Sequence, residues 1–229
     1  MDNKISDSRR CFLALDSSAV SDAMDGLMLT APRLLANLFP RTDGAKLVGP
    51  VFTVTYETHV PETGKFANAG TYIDDVPEGH VVLVDSQGRD DCTNWGDLLT
   101  RLAVRQGLGG SVIHGAARDI ADIRSLGYPL YSTAVNAVSG KNRTRMVATG
   151  RSVNIGETVI TPGDWLFGDE NALLRLPADQ LAEILTRAEQ VSLTEEHIAK
   201  AIEAGVPLKE ARRRYRYDKP WLVQDDNAV

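Results

Sequence analysis

Gly110-Ser-Val-Ile-His-Gly-Ala-Ala-Arg-Asp119 and the run that follows it, Ile120-Ala-Asp-Ile-Arg-Ser-Leu-Gly-Tyr-Pro-Leu-Tyr-Ser-Thr-Ala-Val135, contain a strand, a helix and a second strand. Ser111 to His114 is a short apolar strand, Asp119 to about Ser125 a helix, and Gly127 a stop; Tyr128 to Val135 then has the branched and aromatic side chains of a strand. The same unit stands upstream. Val81 to Val84 is a strand after the turn Pro77-Glu-Gly79, and Asp97 to about Arg105 a helix with Leu98, Leu102 and Ala103 on one face, ended by Gly107. Strand, helix, strand, helix, strand over residues 80 to 135 predicts parallel strands joined by crossover helices, an α/β fold.

Toward the N-terminus, Lys46 to Tyr56 is a strand rich in branched residues, with Gly49-Pro50 marking a bulge or its true start. Ser17 to about Leu38 predicts two short helices. Ser17 or Ser18 caps the first, which presents Val20, Ala23, Met24 and Leu27, and Pro32 suits the first turn of the second. Toward the C-terminus the character changes at Val147. Short pieces at Arg151 to Asn154, Glu157 to Ile160, Asp164 to Phe167 and Leu173 to Leu176, separated by Gly150, Gly156 and Pro162-Gly163, predict an antiparallel region. From Ala178 the chain is helical, with Leu181, Ile184, Leu185, Ala188 and Val191 at helical spacing. Ser192-Leu-Thr-Glu195 has the form of a capping box that opens a further helix, Gly205 closes it, and Pro207 starts the last. No repeat or low-complexity segment interrupts the chain. The expected organisation is one α/β domain over residues 1–177 and a C-terminal helical tail over 178–229 that serves as a subunit contact.

The composition limits the function. A chain of 229 residues with 43% apolar side chains buries roughly 70% of its unfolded surface. Twenty-five Lys and Arg against 31 Asp and Glu give a net charge of −6, which provides no global field for nucleic acid or an anionic membrane. The basic, tyrosine-bearing stretch Lys209 to Tyr217 reads as a solvated helix end or a subunit contact. Two cysteines, Cys11 and Cys92, fit a reducing compartment. The apolar run Cys11 to Leu15 is too short for a signal-peptide core, and no run approaches the ~18 apolar residues of a membrane span, so the expectation is a soluble cytoplasmic protein with neither DNA nor membrane as partner. Gly107-Leu-Gly-Gly110 follows a helix and precedes a strand, the reverse of a dinucleotide-binding context. His59, His80 and His197 lie in separate elements, and Cys92 has no neighbouring base in sequence.

Chemistry is expected where parallel strands give way to helices, because open α/β sheets bind ligands beyond the carboxyl ends of their strands. Two such places carry acids. In Asn94-Trp-Gly-Asp-Leu-Leu99 the backbone N–H groups of Leu98 and Leu99 lie in a first helical turn and can hold a carboxylate or phosphate. In His114-Gly-Ala-Ala-Arg-Asp119, Arg118 offers a planar fork for a carboxylate and Asp119 a hard oxygen donor for Mg²⁺ or Mn²⁺. Together they suit a small anionic keto acid bound to a metal. An Arg-Asp pair at a helix start can equally serve as a cap that complements the helix dipole.

Six segments appear in order: Val20-Ser-Asp-Ala-Met24, Leu47-Val-Gly-Pro-Val-Phe-Thr-Val54, Trp95-Gly-Asp-Leu-Leu99, Gly110 to Asp119, Leu126-Gly-Tyr-Pro-Leu130, and Thr161-Pro-Gly-Asp164 through Gly168-Asp-Glu-Asn-Ala172. The chain from about residue 18 to near Tyr215 thereby resembles the RraA-like family, which includes the 4-hydroxy-4-methyl-2-oxoglutarate / 4-carboxy-4-hydroxy-2-oxoadipate aldolases. Those aldolases carry an Asp, twenty intervening residues and then Arg-Asp, the pattern of Asp97, Arg118 and Asp119.

The resemblance implies a swivelling β/β/α fold, assembled as a homotrimer or a pair of trimers with sites between subunits, and a divalent metal, usually Mg²⁺. It implies that Asp119 ligates the metal, that Asp97 holds metal-bound water, and that Arg118 with the Gly96-Asp97-Leu98-Leu99 turn, through the Leu98 and Leu99 amides, binds the pyruvyl portion. The implied reaction is cleavage of a 4-hydroxy-2-oxo acid through a pyruvate enolate, with oxaloacetate decarboxylation through the same enolate. Related members that regulate a ribonuclease lack the full acidic pattern, so the set favours an enzyme over a non-catalytic trimeric ribonuclease binder. His114 stands where many members have an acid, Asn171-Ala172 replaces a usual Asp-Gly, and the loop Asp85 to Asn94 departs from the glycine-richer family form. In some of these aldolases a tail glutamate reaches a neighbouring subunit's metal waters, a role the resemblance would give to Glu195 or Glu196; either can equally be a helix-start charge.

Overall fold

A computed structural model describes residues 3–29, 37–60 and 70–221. In chain order the elements are α1 (Asn3–Leu13), α2 (Ser17–Gly26), β1 (Phe39–Pro40), β2 (Leu47–Thr58), a 3-10 turn at Thr71–Asp75, β3 (Val81–Asp85), α3 (Asp97–Arg105), β4 (Gly110–Ala117), α4 (Ile120–Ser125) and β5 (Leu130–Val135). There follow β6 (Thr144–Thr149), β7 (Val153–Ile155), β8 (Thr158–Ile160), β9 (Trp165–Gly168), β10 (Leu173–Leu176), α5 (Leu181–Glu203) and α6 (Leu208–Arg214).

Strands β2, β3, β4 and β5 pair in parallel in that spatial order; the alternation over residues 80 to 135 predicts this for β3, β4 and β5, and β2 joins them at the edge of the block. Strand β2 continues beyond this block at both ends. Its first residues, Leu47 to Pro50, pair antiparallel with β9, and Val54 to Thr58 pair antiparallel with β6. Pro50 lacks an N–H for a second ladder and sits one residue before β3 pairing begins at Val51. Gly49 beside it is held by close packing: a Cβ there would meet the Gly79 carbonyl oxygen at 2.2 Å.

Side-chain alternation builds two cores from one sheet. Val82 and Val84 of β3 join Trp95, Ala103 and Ile123 on the side of α3 and α4. Val81 and Leu83 face the other way, packing with Val112, Val153, Ile155 and Ile160 beneath the β7–β8 hairpin. The result is a helix layer, a sheet and a smaller β layer, the β/β/α arrangement that the resemblance implies. A third core joins α1, α2 and α5 to β9 and β10. In it Phe12 is fully buried with ring centroids 6.2 Å from both Trp165 and Phe167, a burial that contributes roughly 1.5–3 kcal/mol.

Several local expectations change. The α2 cap is Asp16, whose side chain accepts from the Ala19 N–H at 2.8 Å, because Ser17 is instead drawn to Asp169. Helix α5 runs unbroken through Ser192, since Val191, Thr194, Ile198 and Ala201 continue its buried face and override the local capping signal. Helix α1 and strand β6 are additional to the expected elements. Leu98 is 74% exposed rather than on the inner face of α3; Thr100 and Ala103 take that face. The predicted helix at Pro32 lies outside the described residues. Among the described residues no helix is long and apolar enough to cross a membrane.

Candidate active site

The carboxyl ends of β3 and β4 carry both segments singled out in the sequence. Strand β4 delivers Arg118 and Asp119, and the β3–α3 loop returns over it through Trp95 and Gly96 to open α3 at Asp97. The Arg118 N–H donates to the Trp95 carbonyl at 3.0 Å, and the Asp97 N–H to Asp119 Oδ2 at 3.1 Å. Arg118 Nε stands 3.4 Å from the same Oδ2. These contacts assemble Asp97, Arg118 and Asp119 at one place, each partly open to solvent.

Asp119 holds its carboxylate there through a left-handed backbone, φ 58° and ψ 36°, a conformation that Asp and Asn tolerate better than other non-glycine residues. Gly96 is present because of proximity: a Cβ would lie 2.6 Å from Asp119 Oδ2 and 3.1 Å from Arg118 Nε. Trp95 anchors the turn from below. Its Nε1 donates to Thr100 Oγ1 at 2.9 Å, and its ring stacks on Tyr128 at 6.3 Å between centroids.

A cavity of about 200 Å³ opens in front of the turn, lined by Asn94, Gly96, Asp97, Leu98, Leu99 and Arg118. Asp119 is not one of its lining residues and connects to it through the bond from the Asp97 N–H to its Oδ2. The first-turn amides of α3 border the cavity without intrahelical acceptors, and the Arg118 guanidinium lines the same cavity, a donor chemistry suited to an anion. Arg101 Nε lies 3.5 Å from Asp97 Oδ2. Asn94 belongs to a segment singled out in the sequence, whereas Ser139 and Lys141, from the β5–β6 connection, were not. No spacing links residue 141 to residue 97; only the fold brings that connection back over β3 and β4.

The remaining candidates lie elsewhere. His114 Nδ1 pairs with Asp85 Oδ1 at 2.9 Å between neighbouring positions of β4 and β3, and His114 is not on the cavity wall. Cys92 is buried, and burial pushes its thiol up, which disfavours a thiolate. Glu196 is ion-paired with Lys200. Glu195 instead lines a separate cavity with Asp22, Asp25 and Trp221, and its carboxyl is raised first by burial and then by Asp16 and Asp22. Among the described residues no three His, Cys, Asp or Glu side chains form a cluster able to hold a metal by themselves.

A family model described as RraA-like, Aldolase/RraA, matches residues 17–174. Protein DlpA of Legionella pneumophila is 40% identical over 207 residues, covering 90% of this chain but 33% of DlpA, so the chain spans about a third of that relative's length. A Halalkalibacterium halodurans protein provisionally named a 4-hydroxy-4-methyl-2-oxoglutarate aldolase is 27% identical over 197 residues, 85% of this chain and 88% of its own. Among solved structures, the crystal structure of an uncharacterized Pseudomonas syringae protein superposes with a TM-score of 0.81 at 35% identity, covering 90% of this chain and 97% of that one.

Proposed function

The chain belongs to the RraA-like family, Aldolase/RraA, and from that premise we propose that it is a divalent-metal-dependent lyase. It cleaves a 4-hydroxy-2-oxo acid to pyruvate and a second carbonyl compound, and it decarboxylates oxaloacetate at the same site. The observation that carries this reading is the meeting of Asp97, Arg118 and Asp119 at the open start of α3, through the bond from Asp97 N–H to Asp119 Oδ2 at 3.1 Å.

The donor chemistry fits a hard cation, since Mg²⁺ is commonly held by one or two carboxylates with water completing its shell. Asp119 directly, and Asp97 through water, would hold Mg²⁺ or Mn²⁺, which supplies Lewis-acid stabilisation of developing enolate charge. Arg118 and the amides of Leu98 and Leu99 bind the carboxylate and 2-oxo group of the substrate. The Asp97 carboxylate orients a water that takes the proton of the C4 hydroxyl. As that proton leaves, the C3–C4 bond breaks, C4 departs as a carbonyl, and the electron pair is delocalised to the C2 oxygen as pyruvate enolate. Arg118 stabilises the charge there, and return of the proton to C3 gives pyruvate. In oxaloacetate the same bond breaks with CO₂ as the leaving fragment.

The same reading includes a homotrimer or a pair of trimers in the cytoplasm, with the tail over 178–229 as subunit contact. With Glu196 engaged by Lys200, Glu195 is the tail carboxylate suited to serve a neighbouring subunit's site. The deciding experiment is a coupled pyruvate-release assay over 4-hydroxy-2-oxo acids and oxaloacetate, with Mg²⁺, Mn²⁺ or chelator. Metal-dependent release is expected. Release that survives chelation overturns the metal chemistry, and no release from any candidate overturns the lyase reading.

A further inference from the structure

The start of α3 is only as well placed as the segment that leads into it, and one side chain there is clamped at both ends. Asn94 is 5% exposed and borders the cavity. Its Nδ2 donates to Ser86 Oγ at 2.8 Å, and its Oδ1 accepts from Thr144 Oγ1 at 2.7 Å. Ser86 directly follows β3 and Thr144 opens β6, and both are buried. The carboxamide thus ties the end of the parallel sheet to the antiparallel strand paired with β2. The β5–β6 connection presses against it, since a Cβ at Gly140 would come within 2.2 Å of Asn94 Oδ1. Its neighbours extend the clamp: Thr93 N–H donates to the Val138 carbonyl at 2.9 Å, and Trp95 O receives the Arg118 N–H at 3.0 Å.

We propose that Asn94 is a positioning residue of the oxo-acid site, holding the turn that carries Asp97 and the Leu98 and Leu99 amides in register with Arg118. The proposal rests on the reading of that site as an oxo-acid lyase. Misplacing a binding group by about 1 Å costs on the order of a hundredfold in rate, and among the described residues no other side chain of the turn from Asn94 to Asp97 is bonded both to the exit of β3 and to β6. A neutral amide is also what the cavity requires. Aspartate could accept from both hydroxyls once Ser86 Oγ turned to donate, but it would put a negative charge where an anion is to bind.

Asn94→Ala therefore removes the tether, while Asn94→Asp keeps it and adds charge. Amide hydrogen exchange on the ligand-free full chain reads the tether without reference to activity. In Asn94→Ala, exchange at Arg118 and Asp97 N–H rises roughly tenfold while the middle of α5 is unchanged; in Asn94→Asp both amides stay near wild type. In oxaloacetate decarboxylation, Asn94→Ala lowers kcat/KM roughly tenfold or more, whereas Asn94→Asp acts mainly on KM, an effect that shrinks with added salt. If Asn94→Ala fails to fold, Thr144→Val removes one clamp alone and is judged by the same exchange criterion. Exchange at both amides within about twofold of wild type overturns the proposal. Raised exchange in a protein whose wild type releases no pyruvate overturns the lyase reading instead, and with it any role for the tether in catalysis.

Discussion

Asp97 and Asp119 are 22 positions apart in sequence and are joined by a single bond, from the Asp97 N–H to Asp119 Oδ2 at 3.1 Å. Asp119 Oδ2 therefore fixes the start of α3, while the side chain as a whole remains 32% exposed. Asp119→Asn separates the two duties, because an amide oxygen can still accept from the Asp97 N–H but carries no charge for a cation. We expect Asp119→Asn to fold with nearly wild-type stability and to lose at least about a hundredfold in metal-dependent pyruvate release. Isothermal titration with Mn²⁺ checks the cause; unchanged Mn²⁺ affinity would remove Asp119 from the metal site.

Gly96 offers a purely steric test. Its φ of −160° is ordinary extended backbone, so alanine meets no conformational penalty there. The new methyl would fall 2.6 Å from Asp119 Oδ2 and must push the carboxylate or the helix start aside. Gly96→Ala is expected to reduce kcat/KM by roughly tenfold to a hundredfold while shifting the melting temperature only slightly. A calorimetric scan with parallel kinetics distinguishes this from general damage, and equal activity in the variant would show that the close approach is unimportant.

The parallel block was legible because each of its elements is defined by local signals: Val81 to Val84, the amphipathic turn after Asp97, Gly107 and Gly127 in left-handed stops. The two charged helix starts were legible for the same reason. What could not be read is what depends on distant partners. The Asn3–Leu13 helix is mostly polar, and its key contact is Phe12 against Trp165 and Phe167. The Thr144–Thr149 strand shows little alternation because it is an edge strand paired with the end of β2. Ser192 has the form of a helix start only because the local capping pattern says nothing about α2, which packs with Ile184 and Ala188 of α5, or α6, whose Ala211 packs with Ile198 and Ala201. Ser139 and Lys141 were not legible because no short-range pattern marks a residue that lines a cavity from another loop.

Arg175 and Asp164 form the antiparallel region's most buried ion pair among the described residues, two parallel bonds of 2.9 and 3.0 Å with the Asp164 side chain 6% exposed. Asp164 Oδ2 also accepts from the Thr161 N–H at 2.8 Å and so holds the turn before β9. Removing the arginine leaves a buried carboxylate without its counter-charge. Arg175→Ala is expected to cost about 3 kcal/mol of stability, measured by urea unfolding, with activity per folded molecule unchanged. Replacing both residues with apolar ones should recover part of the loss.

Glu195 sits where stability and the proposed function oppose one another. Its carboxyl is raised above the ordinary value of 4.5 by burial first, and then by Asp16 and Asp22; Asp22 is itself raised by burial, Asp25 and Asp16. A raised carboxyl binds its proton more tightly in the folded chain than in the unfolded one. Its contribution to stability is therefore present below about pH 4.5 and is lost as pH rises through the raised folded value. Above that window the ionised group faces like charges. Glu195→Gln, which cannot ionise, should raise the melting temperature at pH 7.5 by about 1–2 °C after discounting for solvent screening. The gain should fade as pH approaches 4. If Glu195 also serves a neighbouring subunit's site, the stabilised variant loses pyruvate release at pH 7.5. A variant both more stable and fully active would keep the electrostatic account and reject the tail carboxylate as part of the chemistry. A variant that gains no stability at pH 7.5 would show instead that a counter-charge from a neighbouring subunit already compensates the cluster in the assembled protein.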